Sequence, residues 1–129
     1  MYCLDTNIIV NYLRGDKETI SKVNEVSEHS EIFITPLTLC ELFRGAYLSS
    51  NSEIKVKQIK EFTDSFILLE FNEKVCIEYG KEYAKLCKLG KLTENIDLMI
   101  ACFTKVNNLI LVTRNKKHFE NTDIKIEVW

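Results

Sequence analysis

Tyr2-Cys-Leu-Asp-Thr-Asn-Ile8 begins with a short apolar run, continues with an acid and leads into an amphipathic stretch. The run Tyr2–Leu4 predicts a strand, and the apolar spacing of Ile8–Leu13 predicts a helix directly after it. A strand that passes straight into a helix is the first half of a crossover to a parallel strand. We therefore expect Asp5 to lie at the carboxyl end of the first strand.

The remainder of the chain continues this alternation of strands and helices. Further strands are predicted at four places, Glu31–Ile34, Phe66–Phe71, Leu109–Val112 and Ile124–Val128. Phe66–Phe71 has the composition of a buried strand, whereas Ile124–Val128 alternates apolar and charged residues as a strand near an edge does. The order predicts one domain over residues 1–129, a three-layer α/β/α fold with a central, mainly parallel sheet of four to five strands.

Capping residues predict where the main helices begin. Thr35 followed by Pro36 is typical of an N-cap and first helical position. Asn72 predicts the start of a long helix, and Thr93 predicts the start of the helix that carries Asp97.

Composition limits the possible classes of protein. No apolar run approaches the roughly 18 residues of a membrane span, and the first residues lack the basic start of a secretory signal. We therefore expect a cytoplasmic protein. The net charge of −2 excludes a broadly basic nucleic-acid binder but leaves room for a nuclease with a local basic patch.

The five cysteines do not form a metal-binding pattern. No pair has CxxC spacing, and neither His29 nor His118 lies near a cysteine pair, so a zinc site is not expected. Most of the cysteines lie among apolar residues, which predicts reduced and buried thiols.

Three acids are predicted to meet at one edge of the sheet. Asp5 follows the first strand directly, and Thr113–Asn115 follows the last strongly apolar strand in the same way. Asp97 lies near the start of its helix, and Glu41 lies about a turn and a half into the helix after the second strand. Because ligands of parallel α/β sheets bind outside the carboxyl ends of the strands, this edge is the predicted site.

The surroundings of these acids favour a bound cation. Glu41 and Asp97 each lie within an apolar run, Leu37–Phe43 and Ile96–Phe103, so burial would penalise their charged forms. Oxygen ligands are those that Mg²⁺ or Mn²⁺ prefers, and such an ion can activate water against a phosphodiester. Each acid also has a purely structural explanation. Asp5 could cap a helix, Asp97 could complement a helix dipole and Glu41 could pair with Arg44.

Four stretches, in order along the chain, resemble the motifs of PIN-domain nucleases. They are Leu4-Asp-Thr-Asn-Ile8, Thr38-Leu-Cys-Glu-Leu-Phe-Arg-Gly45, Asn95-Ile-Asp-Leu-Met-Ile-Ala101 and Val112-Thr-Arg-Asn-Lys-Lys-His-Phe119. The compact size of the chain and the residues of these motifs are most similar to those of the VapC-type toxins of bacterial and archaeal toxin–antitoxin pairs. The resemblance implies an endoribonuclease that needs Mg²⁺ or Mn²⁺ and cuts structured RNA, such as tRNA or rRNA. It also implies a homodimer and a cognate antitoxin that covers the active site.

The resemblance also assigns roles to single residues. Asp5 and Asp97 are expected to bind the metal, and Glu41 to complete the acidic cluster and orient the attacking water. Thr6 and Thr113 are expected to steady the carboxylates with their hydroxyl groups.

One position departs from the family pattern. Many members carry Asp in the fourth motif, where this chain has Asn115, and a single ion is therefore expected rather than two. Glu120 is a nearby acid that could supply the missing charge, and His118 is expected to pack or to form a hydrogen bond. Basic residues near the motifs are candidate phosphate contacts, namely Arg14, Arg44, Arg114, Lys116 and Lys117, with a further stripe at Lys81, Lys85 and Lys88. Ordinary solvated charge is the alternative explanation for each of them.

Three other interpretations compete with this one. A haloacid-dehalogenase phosphatase needs a second acid two residues after the first, where this chain has Asn7. A response-regulator receiver carries its phosphoacceptor after a mid-chain strand, where this chain has Asn72. The third is a catalytically degenerate PIN-like domain that binds RNA or protein, which Asn115 alone favours.

Overall fold

The computed structural model describes residues 1–129, and its centre is one sheet of five parallel strands. The strands are β1 (Tyr2–Leu4), β2 (Ile32–Ile34), β3 (Ile67–Leu68), β4 (Ile110–Val112) and β5 (Lys125–Glu127). They lie in the order β3-β2-β1-β4-β5. The predicted parallel α/β sheet is therefore confirmed, with every neighbouring pair parallel.

Six α-helices cover the two faces of the sheet. They are α1 (Thr6–Leu13), α2 (Lys17–Ser27), α3 (Pro36–Tyr47), α4 (Ser52–Thr63), α5 (Glu73–Lys88) and α6 (Asn95–Val106). A short 3₁₀ helix, Lys116–Phe119, follows β4. None of the helices combines the length and the apolar character needed to span a membrane.

Successive residues of a strand point to opposite faces of the sheet, and each face has its own core. The sheet and the helices on its two faces therefore form three layers. Cys3 and Leu111 pack with α5 and α6 on one face, and Leu4 and Val112 pack with α1 to α4 on the other. Both cores consist of fully buried apolar side chains, and their burial is the main stabilising contribution to the fold.

The predicted caps are formed, with one shift. The Thr35 hydroxyl accepts a hydrogen bond from the Thr38 amide at 3.0 Å, and the Asn72 side chain accepts one from the Val75 amide at 3.2 Å. Helix α6 begins at Asn95 rather than at the predicted Thr93. The shift keeps Asp97 in the first turn.

Two expectations about burial were wrong. The predicted buried strand Phe66–Phe71 forms only the two-residue β3, whose side chains are exposed because β3 is an edge strand with one neighbour. Only two cysteines, Cys3 and Cys102, are buried. The other three lie on outward-facing helix positions and are exposed, namely Cys40, Cys76 and Cys87.

The strand order changes direction beside β1, and this places the site. The chain adds β2 and β3 on one side of β1 and then crosses to β4 on the other side. Such a switch point opens a crevice at the carboxyl ends of the two central strands. The Asp5 amide donates to the Val112 carbonyl at 2.9 Å, so the ends of β1 and β4 are held side by side there.

Candidate active site

A polar cavity of about 490 Å³ opens at this switch point. Asp5 comes from the end of β1, Glu41 from α3, Asp97 from α6 and Asn115 from the turn after β4, so the structure brings all four predicted site residues together. The complete lining consists of Asp5, Thr6, Asn7, Val10, Asn11, Arg14, Glu41, Arg44, Glu94, Ile96, Asp97, Asn115 and His118.

Asp5 is the most buried of the acids, with 6% of its surface exposed. Its Oδ1 accepts a hydrogen bond from the Thr6 amide at 2.8 Å, so Asp5 also caps α1. Its Oδ2 accepts from the Thr113 hydroxyl at 2.7 Å and from the Asn7 amide at 3.1 Å. Burial raises the pKa of Asp5 above its ordinary value even though these hydrogen bonds and nearby His118 lower it.

The other two acids have raised pKa values for the same leading reason. Burial raises the pKa of Glu41, the negative charge of Asp5 raises it further, and Asp97 adds a smaller effect. Burial likewise raises the pKa of Asp97, and the charges of Asp5 and Glu94 add to it. The cavity therefore holds three carboxylates whose charged forms are disfavoured by burial and by one another.

Cations at the rim compensate this charge only partly. His118 Nδ1 lies 3.4 Å from Asp97 Oδ2, and its charge lowers the pKa of Asp97. Arg14 and Arg44 line the cavity, and Arg44 lowers the pKa of Glu41 without forming an ion pair within 4 Å. The Glu41–Arg44 pair that would give Glu41 a purely structural role is therefore not formed.

The donor set fits a hydrated divalent cation. The acids supply hard oxygen ligands, and no group of three or more His, Cys, Asp or Glu side chains converges tightly enough to enclose an ion. A cation here would therefore be held by one or two carboxylates and would keep several waters, which is the coordination that Mg²⁺ favours. The Thr6 hydroxyl is buried beside this space and lacks a hydrogen-bond partner.

The two threonines predicted to steady the carboxylates differ. Thr113 donates to Asp5 and also accepts from the Asn115 amide at 3.0 Å, so it joins the two strand ends. The Thr6 side chain lowers the pKa of Glu41, but its hydroxyl forms no hydrogen bond of good geometry. We therefore assign the supporting contact to Thr113 only.

Sequence reasoning missed two contributors to the cavity. Asn7 contacts Asp5, and Glu94 is the additional acid at the lining. His118, which was expected to pack or to form a hydrogen bond, lies beside Asp97. Glu120, the other acid considered as a source of the missing charge, lies outside the lining because it ends the 3₁₀ helix with its side chain exposed. The position of Asn7 inside the first motif was the signal that could have identified it.

Arg114, one of the candidate phosphate contacts, forms contacts within the protein and is not among the residues that line the cavity. Its guanidinium lies 2.9 Å from both Asp16 Oδ2 and the Thr19 hydroxyl, and its Nε donates to the Trp129 main-chain oxygen at 2.8 Å. These contacts connect the turn after β4 to α2 and to the last residue. The remaining predicted basic contacts lie outside the cavity, namely Lys81, Lys85, Lys88, Lys116 and Lys117.

Comparison with known proteins identifies the family. The PIN domain family model matches residues 2–125. Ribonuclease VapC1 of Haemophilus influenzae is 34% identical over 131 residues, which cover 100% of this chain and 98% of that protein. The tRNA(fMet)-specific endonuclease VapC of Salmonella typhimurium is 29% identical, over 99% of this chain and 97% of that protein.

A solved structure gives the same result. VapBC2 from Rickettsia felis, determined bound to a DNA fragment from its promoter, matches with a TM-score of 0.92 and 27% identity. The match covers 99% of this chain and 98% of that chain. The chain therefore belongs to the PIN-domain family and, within it, to the VapC ribonucleases.

Proposed function

We propose that this chain is a divalent-metal-dependent endoribonuclease and the toxin of a type II toxin–antitoxin pair. The observation that carries the proposal is the cavity itself, where three acids with raised pKa values face one another at the switch point of the sheet. Such a cluster is unfavourable until a cation binds, and titratable groups with shifted pKa values in a cleft are candidates for functional sites. Membership of the VapC ribonucleases supports RNA as the substrate.

The metal would be Mg²⁺ or Mn²⁺, bound by Asp5 and Asp97. When bound, it would lower the pKa of a coordinated water and neutralise charge that develops on the phosphodiester. Asp5 is suited to this role because hydrogen bonds fix its carboxylate. Asp97 lies in the first turn of α6, and its side chain has one close partner, His118.

Glu41 and Asn115 would act on the water and on the substrate. Glu41 accepts a hydrogen bond from the attacking water and orients it in line with the bond to be broken, and its raised pKa suits it to take up a proton. Asn115 lies at the cavity lip, and its amide can donate to a phosphate oxygen. The water oxygen bonds to phosphorus, the bond to the 3′ oxygen breaks, and that oxygen takes a proton. The products carry a 5′-phosphate and a 3′-hydroxyl.

The lining indicates which part of RNA enters. Only Val10 and Ile96 are apolar among the residues that line the cavity, which suits a charged sugar–phosphate backbone better than a buried base. Arg14 and Arg44 can contact the neighbouring phosphates. We propose structured RNA, either tRNA or rRNA, as the substrate, and the tRNA-specific name of the Salmonella relative supports tRNA.

The proposed partners are a cognate antitoxin and a second copy of the chain, in the cytoplasm. A groove of about 240 Å³ adjoins the cavity and shares Val10, Arg14 and Glu41 with it, so a segment seated there would cover the acids. The VapBC complex among the solved structures supports an antitoxin of this kind. Large apolar side chains exposed at Tyr47 and Leu48 offer a surface for protein contact.

A catalytically inactive binding module is the second candidate, and Asn115 is the observation that favours it. An amide at this position contributes no charge to the cavity. The three acids around it argue for retained chemistry, because a module that only binds RNA gains nothing from negative charges that repel phosphate. Titration of metal into a cleavage assay separates the two, since only the nuclease gives cleavage that depends on the ion.

The test is cleavage of a pool of tRNA and rRNA by purified protein in Mg²⁺, in Mn²⁺ and in EDTA, with Asp97→Asn in parallel. We expect discrete fragments that require the metal, carry 5′-phosphates and are absent with the variant. Cleavage that persists in EDTA would contradict the proposed chemistry. A folded protein that binds metal and RNA but cuts neither the tRNA nor the rRNA would favour the binding module.

A further inference from the structure

Asn7 connects the two strand ends that form the cavity. Its Nδ2 donates to Asp5 Oδ2 at 3.1 Å and lies 3.3 Å from the Thr113 hydroxyl oxygen. Its Oδ1 accepts a hydrogen bond from the Arg114 backbone amide at 3.2 Å. These partners fix the orientation of the side-chain amide, because a carboxylate only accepts and a backbone N–H only donates.

The contacts of Asn7 determine which oxygen of Asp5 remains available. A carboxylate has about two lone-pair sites on each oxygen. Oδ2 accepts two hydrogen bonds, from Asn7 and Thr113, and is therefore filled. Oδ1 accepts only one, from the Thr6 amide, and keeps one site free.

From this count we infer that Asn7 is a positioning residue that makes Asp5 a ligand through Oδ1 alone. The inference rests on the proposed function, in which Asp5 binds the divalent ion. A carboxylate that ligates through one oxygen leaves more positions for water on the ion, and a hydrolytic reaction requires such water. Groups that hydrogen-bond a metal ligand typically change metal affinity or activity by about 10- to 100-fold when they are removed.

Asn7 also sets the distance between β1 and the turn after β4. The same Thr113 hydroxyl contacts Asn7, Asp5 and the Asn115 amide, so the three side chains form one closed network. The Arg114 backbone amide donates to Asn7 Oδ1, and Arg114 directly precedes Asn115 in that turn. Removal of the Asn7 side-chain amide would therefore free one lone-pair site on Asp5 Oδ2. It would also remove a hydrogen bond that holds the turn after β4.

The chain offers a matched control one helical turn away. Asn11 lies on α1 four residues after Asn7 and lines the same cavity, and its side chain forms no hydrogen bond within the protein. Residue type, helix and cavity are thus the same, and only the contact with the Asp5 network differs.

The experiment compares wild type, Asn7→Ala, Asn7→Ser and Asn11→Ala. Mn²⁺ affinity is measured without RNA, from the electron paramagnetic resonance signal of free Mn²⁺, and thermal unfolding confirms that each protein is folded. We expect Asn7→Ala to bind Mn²⁺ about 10- to 100-fold more weakly and Asn11→Ala to bind it as wild type does. Asn7→Ser should recover part of the loss, because its hydroxyl can donate one hydrogen bond to Asp5.

Cleavage assays add a second readout. Asn7→Ala should lower kcat and leave the KM for RNA close to that of wild type, because Asn7 acts through Asp5 and not on the substrate. Equal Mn²⁺ affinity for Asn7→Ala and Asn11→Ala would overturn the inference, and Asn7→Ser decides the question if Asn7→Ala does not fold. A wild type that binds Mn²⁺ in this Asn7-dependent way but cuts no RNA would overturn the proposed function and leave the inference intact.

Discussion

Helix α6 carries a charged cluster at each end, and the two clusters differ in one respect. At its first turn, Asp97 faces other acids in the cavity, and only His118 approaches it, at 3.4 Å. At its last turn, Lys105 lies 2.7 Å from Glu78 and 2.6 Å from Glu82. The acids of the second cluster thus share a closely paired lysine, whereas those of the first are compensated only partly, by cations at the cavity rim.

The pKa values follow this difference. The Lys105 ammonium holds the pKa of Glu78 below its ordinary value, and the two carboxylates raise the pKa of Lys105. In the cavity, burial and like charges raise the pKa of Asp97. The Lys105 cluster therefore connects α5 to α6 and stabilises the fold, whereas the cavity retains unfavourable charge that a bound cation can offset.

The sharpest test of this contrast exchanges one acid for its amide in each of the two clusters. Asp97→Asn should reduce RNA cleavage by about 1000-fold, since several kcal/mol of metal-derived stabilisation are lost. Glu78→Gln, the matched change in the other cluster, should leave cleavage within a few-fold of wild type. Initial rates under single-turnover conditions measure both, and an equal loss in the two variants would contradict the contrast.

Lys105→Met should cause the largest loss of stability. It leaves Glu82, whose side chain is 8% exposed, with Lys85 as its one remaining cation, at 4.0 Å. Because Lys105 itself is 35% exposed, we expect a loss of about 2 kcal/mol in the free energy of unfolding, less than for a fully buried pair. Urea denaturation measures it.

The control for this loss removes the buried charge as well. In the double variant Lys105→Met with Glu82→Leu, no ion is left buried without a partner, and most of the stability should return. A double variant that is as unstable as the single one would show that packing, rather than charge, explains the effect.

The contributions of Asp97 and Glu78 to stability should depend on pH with opposite signs. The pKa of Asp97 is raised above the ordinary 3.8, so its stabilising contribution is complete below that pH and is lost as pH rises through the raised value. The pKa of Glu78 is lowered from 4.5, so its contribution is present above that pH and is lost as pH falls.

The pH dependence of stability is measured on the metal-free protein. The stability of Asp97→Asn relative to wild type should increase between pH 4 and pH 7, whereas that of Glu78→Gln should decrease on going from acid pH to about pH 5. Denaturation curves at several pH values measure both differences. The same slope in both variants would show that the clusters do not differ as described.

Arg44→Gln should give the smallest effect. If Arg44 contacts one phosphate, the KM for RNA should rise several-fold, and the dependence of log affinity on log salt should become shallower by about 0.7, the value for a single strand. Lys88→Gln, on α5 and outside the cavity, is the control. Equal salt slopes for Arg44→Gln and wild type would remove Arg44 from the binding surface.

Local sequence was sufficient for the elements and for the meeting of the acids. Each apolar run next to a capping residue became an element, and the strand–helix alternation alone brought Asp5, Glu41 and Asp97 to one edge. Asn72 began its helix as predicted. These features follow from residues that are adjacent in the sequence and from the order of the strands and helices along it.

Features that depend on distant packing could not be predicted. The exposure of β3 follows from its place at the end of the strand order, which no residue in Phe66–Phe71 determines. Arg114 was a candidate phosphate contact, and its contacts with Asp16 and with the main chain of Trp129 arise only after folding. The role of Lys105 likewise arises only because α5 packs against α6.

The most direct test of the central claim is thermal unfolding of wild type and Asp97→Asn over a series of Mn²⁺ concentrations. A cation that binds only the folded cavity raises Tm in proportion to the logarithm of its concentration once the site is filled. We predict that Tm of wild type rises with Mn²⁺. Asp97→Asn should be at least as stable as wild type without metal and respond little to it. Equal Mn²⁺ responses of the two proteins, or no response of the wild type, would contradict the claim that this cavity is built for a cation it does not itself supply.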